Sequence, residues 1–522
     1  MKSILTLSFC LFLALYAQAQ TPCSLDNSFD TDGKLVADAS RLGEHILLQT
    51  DGKILVACNP FGNGSVYIKR FNTDGSVDMS YGVSGKCTIT VAEVATRITS
   101  MKMYNNKVYV CGTTSTNIGG TSTYVYAAAV TSAGALDNTF GTAGVKKFNS
   151  SPDLYTCSDL EIDKNGKIYM IGLEWLDNLF LLRMNSNGSL DNTFGTGGIT
   201  YLATGNVNHW FEVRDLNIDE NDKLLIAGKK YKANNGSSIA AFWNLMVLRY
   251  LPSGQIDNSF GTAGMGLYNS SATNFDEGVK IHVLPGNEYL VHANTYDNTD
   301  YDYSALKLQN NGAIQTTYGV NGWAVHDLLM TNDQEYSLNS ALLPDGRLLI
   351  TGNQGDGDTV HFSLLMLKSD GSRDNTFAPN GLYMHIFNQN NNSSSSGLAV
   401  APDGKIVLGG YTRTCANGVC GPLSMALSRY HNSFNSTGVS DLLSMEDLIL
   451  SPNPSKGQVQ ILSSKILHQP TLTIWNGMGQ VMGRYTYSGG SNFSLMLPET
   501  TGMYFIQIRS EEGMEVMKVV RE

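Results

Sequence analysis

The sequence is poor in charge, and its charges are not gathered into basic runs. Lys and Arg number 35 against 46 Asp and Glu in 522 residues, for a net charge of −11. Neutralising phosphates takes clustered Lys and Arg, so nucleic acid is excluded as a partner. No Cys-x-x-Cys pair occurs, which removes the usual thiolate metal clusters. Long apolar runs are missing after residue 16. Nothing later approaches the roughly 20 residues that a membrane-spanning helix needs, so no transmembrane segment is expected after the leader. Nucleophile elbows, HExxH helices, P-loops and dinucleotide fingerprints are absent too, and no catalytic residue or organic cofactor is assigned. A site assembled from separate repeats would leave no such signature, so catalysis itself stays open.

What is present begins with a leader. Lys2, the apolar run from Ile4 to Tyr16 and the small-residue exit Ala17-Gln18-Ala19 have the layout of a signal peptide over 1–19. Glycine is abundant at 53 residues, beside many Asn, Ser, Thr and Tyr, which favours turns and short strands over helices. Beyond Cys10 of the leader, seven cysteines remain: Cys23, Cys58, Cys87, Cys111, Cys157, Cys415 and Cys420. An odd count leaves at least one unpaired in a monomer. Cys415 and Cys420 flank a turn-prone Ala-Asn-Gly-Val, and a disulfide closing that hairpin tip fits an oxidising compartment. The others sit mostly in strand-like apolar runs, as small buried hydrophobes do.

One phrase recurs along the chain: LDNSF at 25–29, VDMSYG at 77–82, LDNTFG at 136–141 and 190–195, IDNSFG at 256–261, IQTTYG at 314–319 and RDNTFA at 373–378. A degenerate HNSF at 431–434 closes the series. The aromatic position advances by 52, 59, 54, 66, 58, 59 and 57 residues, which makes seven periods of about 58. Between these copies lies a second phrase, an Asp-Gly or Asn-Gly turn followed by an apolar strand, as in LLQTDGKILVAC at 47–58 and LEIDKNGKIYMIG at 160–172. A third strand and a short fourth one complete each unit. Seven units of four short antiparallel strands, apolar on both faces, predict an all-β fold: a seven-bladed β-propeller over 20–440. The recurring Asp is read as structural, capping a turn while the aromatic wedges between blades, because an active site needs one copy.

Together, LDNTFGTGG, the DGKI strand and the Arg-containing third strand resemble the delta-60 repeats of bacterial secreted proteins over residues 25–434. The resemblance implies a propeller-like scaffold and leaves the ligand open. After residue 440 the rhythm stops. SPNPSKG at 451–457, IWNGMGQVM at 474–482, GMYFIQI at 502–508 and the basic ending at 518–521 resemble the C-terminal sorting domain of the type IX secretion system of Bacteroidetes. Alternating residues between Gly and Pro turns predict a small immunoglobulin-like β-sandwich over 441–522. That likeness implies type IX machinery as a partner, passage through the periplasm, and a secreted or cell-surface destination.

The loop after the second phrase varies most between units and is the expected ligand face. Its aromatics and amides suit an extracellular glycan or peptide, with Trp175, Tyr231, Trp243, Tyr296 and Asp297 as candidate contacts. Asp300 and Asp302, and separately Asp356 and Asp358, are spaced to offer oxygens to Ca²⁺. A binding module is the leading expectation. The alternatives are a lyase or glycosidase with its site at the channel mouth, and a passive surface scaffold.

Overall fold

The computed structural model describes residues 23–432 and 448–522, apart from short stretches within them. The leader at 1–19, Ser433 and Phe434 of the closing copy, and the domain boundary near 440 lie outside the described residues. Within them the repeat region forms seven antiparallel sheets. Blades 1 to 6 span 41–89, 95–148, 154–202, 211–268, 275–326 and 334–385, each with four strands in sequence order. Blade 7 takes Asn391–Val400, Ile406–Ala416 and Ser424–Tyr430 from the end of the repeat region. Its outer strand, Lys34–Ala39, comes from the beginning.

The first strands of neighbouring blades pack on one another, which places them innermost. Strands apolar on both faces follow from this arrangement, because each sheet is sandwiched between two others. Apolar clusters join consecutive blades all round the ring. One sets Ile68 and Leu55 against Val110 and Tyr126. The cluster that closes the ring sets Val407, Met425 and Leu427 of blade 7 against Ile46, Ile54 and Val56 of blade 1. Each fully buried aliphatic side chain contributes about 1.5–3 kcal/mol relative to exposure.

The three sequence phrases meet in a polar clip that is complete in blades 1, 3, 4 and 7. In blade 4, Asp257 Oδ1 accepts from Ser259 N at 3.0 Å and from Ser259 Oγ at 2.6 Å, fixing the turn. Its other oxygen takes Lys223 of the second phrase and Arg249 of the third strand, both at 2.8 Å. Arg249 stacks over Phe260 at 4.8 Å and donates to Asn310 O in the next blade. Blades 1 and 3 repeat this with Asp78, Lys53 and Arg70, and with Asp191, Lys167 and Arg183. The first copy of the phrase serves the last blade: Asp26 pairs with Arg429 at 2.8 Å and Lys405 at 3.0 Å. Strand exchange and this clip together tie the start of the domain to its end.

Every innermost strand carries a β-bulge, at Glu44, Thr99, Ser158, Arg214, Val279, Leu338 and Ser396. A bulge bends and twists its strand and re-aims the residues after it. Here it turns His45, Ser100, Asp159, Asp215, Lys280, Asn339 and Gly397 into equivalent places around the axis.

Beyond the ring, Leu448–Ser451, Gln458–His468 and Gly489–Met496 form a three-stranded sheet, and four strands between Thr471 and Arg521 form a second. The two share a core that includes Val459, Ile461, Ile474, Ile506 and Val519, so the tail is a sandwich. No helix among the described residues is long and apolar enough to cross a membrane.

Candidate functional site at the channel mouth

Two polar layers occupy the axis. The deeper one is a network of opposite charges: Lys102 Nζ meets Glu161 at 2.5 Å, and Lys280 Nζ donates to Asn339 at 2.8 Å. Its carboxylates also clip blades together. Asp159 Oδ2 accepts from Leu216 N of the next blade at 2.9 Å, and Asp215 Oδ2 accepts from Ile281 N at 2.9 Å. Burial, together with the charge of Asp159, pushes the Asp215 carboxyl up to about 7 against the pull of Lys280 and Lys102. Burial pushes His292 down to about 3, and its Nε2 bonds Ser337 Oγ at 2.6 Å. These bonds to blade backbones and hydroxyls make the layer a structural one.

The sign of the Asp215 shift yields a prediction. A carboxyl raised in the folded state is protonated there while its unfolded counterpart is ionised, so its own contribution to stability is greatest below about pH 4 and is lost as pH rises towards 7. Asp215→Asn keeps an acceptor for Ile281 N and removes that loss. The variant should match the parent near pH 4 and exceed it at pH 8 by roughly 1–4 kcal/mol in urea unfolding. A variant less stable than the parent at pH 8 would show that the ionised carboxylate is needed beside Lys280.

Above this layer, blades 4 to 6 build a second one at the mouth, on the face where the first strands begin. Glu212 and Arg214 come from the first strand of blade 4, and Lys229 from its second. Arg214 Nη2 meets Glu212 at 2.6 Å, and Lys229 Nζ bridges Glu212 at 3.1 Å and Glu277 of blade 5 at 2.5 Å. Tyr336 of blade 6 donates its hydroxyl to Glu277, and Arg214 lies 3.5 Å from the same hydroxyl. Burial opposes ionisation of Glu277, whose side chain is 4 % exposed. Arg214, Lys229 and the Tyr336 hydroxyl outweigh it and hold Glu277 below the ordinary carboxylate range.

Aromatic rings flank this quartet of charges. Tyr231 and Trp243 pair across strands with centroids 5.0 Å apart, and Lys229 lies 4.7 Å from the Trp243 ring. In blade 5, Phe275, Tyr296 and Tyr301 stand opposite one another in register, at 5.7 and 5.1 Å. Tyr301 reaches Tyr336 at 5.4 Å. All six rings are half-buried, with part of each surface open.

Of the residues expected from sequence, the structure thus brings Tyr231, Trp243 and Tyr296 to this mouth. They lie on strand ends rather than in loops, because aromatic side chains pair well across strands and extend the ladder. Trp175, Asp297, Asp356 and Asp358 lie outside the described residues. Asp302 is buried in the strand Tyr301–Leu308, where its carboxylate lies within 4.8 Å of those of Asp327 and Glu335. Asp300 is half-buried just before that strand. Cys420 is disulfide-bonded and stands opposite Cys415 in register. Cys23, Cys58, Cys87, Cys111 and Cys157 are buried free thiols. Sequence reasoning missed Glu212, Arg214, Lys229, Glu277 and Tyr336. The available signal was the polar residues at and just before the first-strand bulges, visible once the units are aligned at those bulges.

A ring of four-stranded blades followed by a C-terminal sandwich defines a repeat propeller with a small β-sandwich module. Residues 49–81, 164–194 and 343–377 match the domain of unknown function DUF5122 beta-propeller, and residues 450–522 match the secretion system C-terminal sorting domain. The chain is a secreted or cell-surface propeller protein of DUF5122 repeats with a type IX sorting tail. No curated protein matches it. Among solved structures it resembles a catalytically inactive virginiamycin B lyase variant from Staphylococcus aureus crystallised with quinupristin, with 8 % identity over 76 % of this chain and 98 % of that one and a TM-score of 0.41. A protein of unknown function from Dyadobacter fermentans is 8 % identical over 78 % and 97 % of the two chains, with a TM-score of 0.38. A polysaccharide lyase is 10 % identical over 82 % and 94 %, with a TM-score of 0.37.

Proposed function

We propose that the protein is a secreted or surface-held propeller that binds an extracellular glycan at the mouth formed by blades 4 to 6. The observation that carries this reading is the set of half-buried rings, Tyr231 with Trp243 and Phe275 with Tyr296, Tyr301 and Tyr336, arranged around fixed hydrogen-bonding groups. Rings give the apolar C–H faces of a sugar a surface to stack on, while nearby donors and acceptors take its hydroxyls. Binding is favoured over catalysis because both glutamates at the mouth are already engaged by Arg214 and Lys229, and the buried Glu277 is held in its ionised form, unsuited to donate a proton. A glycan array probed with the full mature chain tests the reading. Selective binding should fall at least tenfold, about 1.4 kcal/mol, in Trp243→Ala. Binding that survives this change and Tyr301→Ala unaltered would remove the site from these blades.

A further inference from the structure

The charges at the mouth say what kind of glycan it takes. Arg214, Lys229, Glu212 and Glu277 are two cations and two anions, and each cation already touches a carboxylate. An acidic sugar arriving there would have to compete with Glu212 for Arg214 or with the buried Glu277 for Lys229, and it would add a third anion to a group whose charges already balance. Vicinal hydroxyls ask for no such exchange. One hydroxyl can donate to Glu212 while its neighbour accepts from Arg214, because each hydroxyl is both donor and acceptor. Glu212 and Arg214 are the open members of the group, with side chains 37 % and 40 % exposed. The aromatic rows extend on both sides of them, one on blade 4 and one across blades 5 and 6, so more than one sugar ring has a surface to meet.

We propose that the mouth binds an uncharged polysaccharide chain laid across blades 4 to 6, with the ion-paired quartet reading vicinal hydroxyls and the two aromatic rows holding successive sugars. This rests on the glycan-binding reading above and adds the ligand's charge and length. Titration calorimetry with the full mature chain tests it, using neutral glucans, mannans and arabinans, matched uronic-acid and sulfated polymers, and neutral oligosaccharides of increasing length. The expected result is selective binding of a neutral polymer, affinity that rises with oligosaccharide length, and little change between low and high salt. Trp243→Ala and Tyr301→Ala should each weaken the long oligosaccharide about tenfold and narrow its advantage over the short one. Glu212→Gln, which breaks the charge balance with little change of shape, should weaken the neutral ligand and raise affinity for acidic polymers. Thermal melting of each variant separates loss of contact from loss of fold. Preference for an acidic polymer with steep salt dependence, or affinity that ignores length, would overturn this inference while leaving a glycan-binding propeller. Silence towards every glycan would retire both.

Discussion

Replacing Asp257 by alanine is expected to cost the propeller about 3–5 kcal/mol, among the largest effects of any single side chain outside the apolar cores. Arg249, which it faces, is 1 % exposed and is the largest of the fully buried side chains. The guanidinium donates to Asp257 at 2.8 Å, to Ser259 Oγ at 3.0 Å and to Tyr289 Oη at 3.1 Å, and it lies over Phe260. Without the carboxylate those neutral partners remain, but a buried cation has lost the anion it is paired with. The turn loses its two bonds from Ser259 as well. Urea unfolding should show a reduced midpoint. Asp257→Asn, which retains a turn acceptor and drops the charge, should fall between parent and alanine. Removing both partners in Arg249→Met/Asp257→Ala should recover part of the loss, because an apolar pair is cheaper to bury than one orphaned charge. A loss below about 1 kcal/mol in Asp257→Ala would mean that the pair behaves as a screened surface bridge.

This clip explains why the repeat was so easily read from the chain. Each phrase is written in residue types whose identity the clip requires: Asp for the turn and the ion pair, Ser or Thr to bond it, an aromatic ring under the Arg. Blade 5 shows the tolerance. It carries Gln315 at the Asp position, and Gln315 bonds Glu288, which also pairs Lys307. The site was less legible for a physical reason. Glu212, Glu277 and Tyr336 lie some 60 residues apart and meet only because first strands of successive blades converge on one axis. Within its own repeat each is a single polar residue on a strand. Tyr231, Trp243 and Tyr296 stood out as aromatics, yet nothing local separates a strand end from the loop it continues into. Asp159 and Asp215 show the converse: both face the axis as catalytic carboxylates would, and their bonds to Leu216 N and Ile281 N reveal that they hold blades together.

The glycine that ends the second phrase leads to the other large effect. Just before each bulge, one residue of the first strand faces one of the second, and in every blade one of the two is glycine. Gly112, Gly172, Gly228, Gly352 and Gly410 hold the second-strand position in five blades. In the other two that position is Cys58 or Ala293, and the glycine has moved across the ladder to Gly43 or Gly278. Close approach of backbone accounts for the five. A Cβ on Gly172 would sit 1.8 Å from Thr156 O and 2.7 Å from the Phe180 ring. Gly172→Ala should therefore displace the first strand of blade 3 and cost about 1–3 kcal/mol or more. Cys157→Gly alone should also destabilise, by exposing backbone freedom and losing a buried side chain. Together the two changes recreate the pairing seen in blade 5, where Ala293 faces Gly278. The double variant should be more stable than the sum of the single losses allows, with a coupling of at least 1 kcal/mol. Additive losses would mean that each glycine answers to its own surroundings and that the exchange across the ladder in blades 1 and 5 is a coincidence.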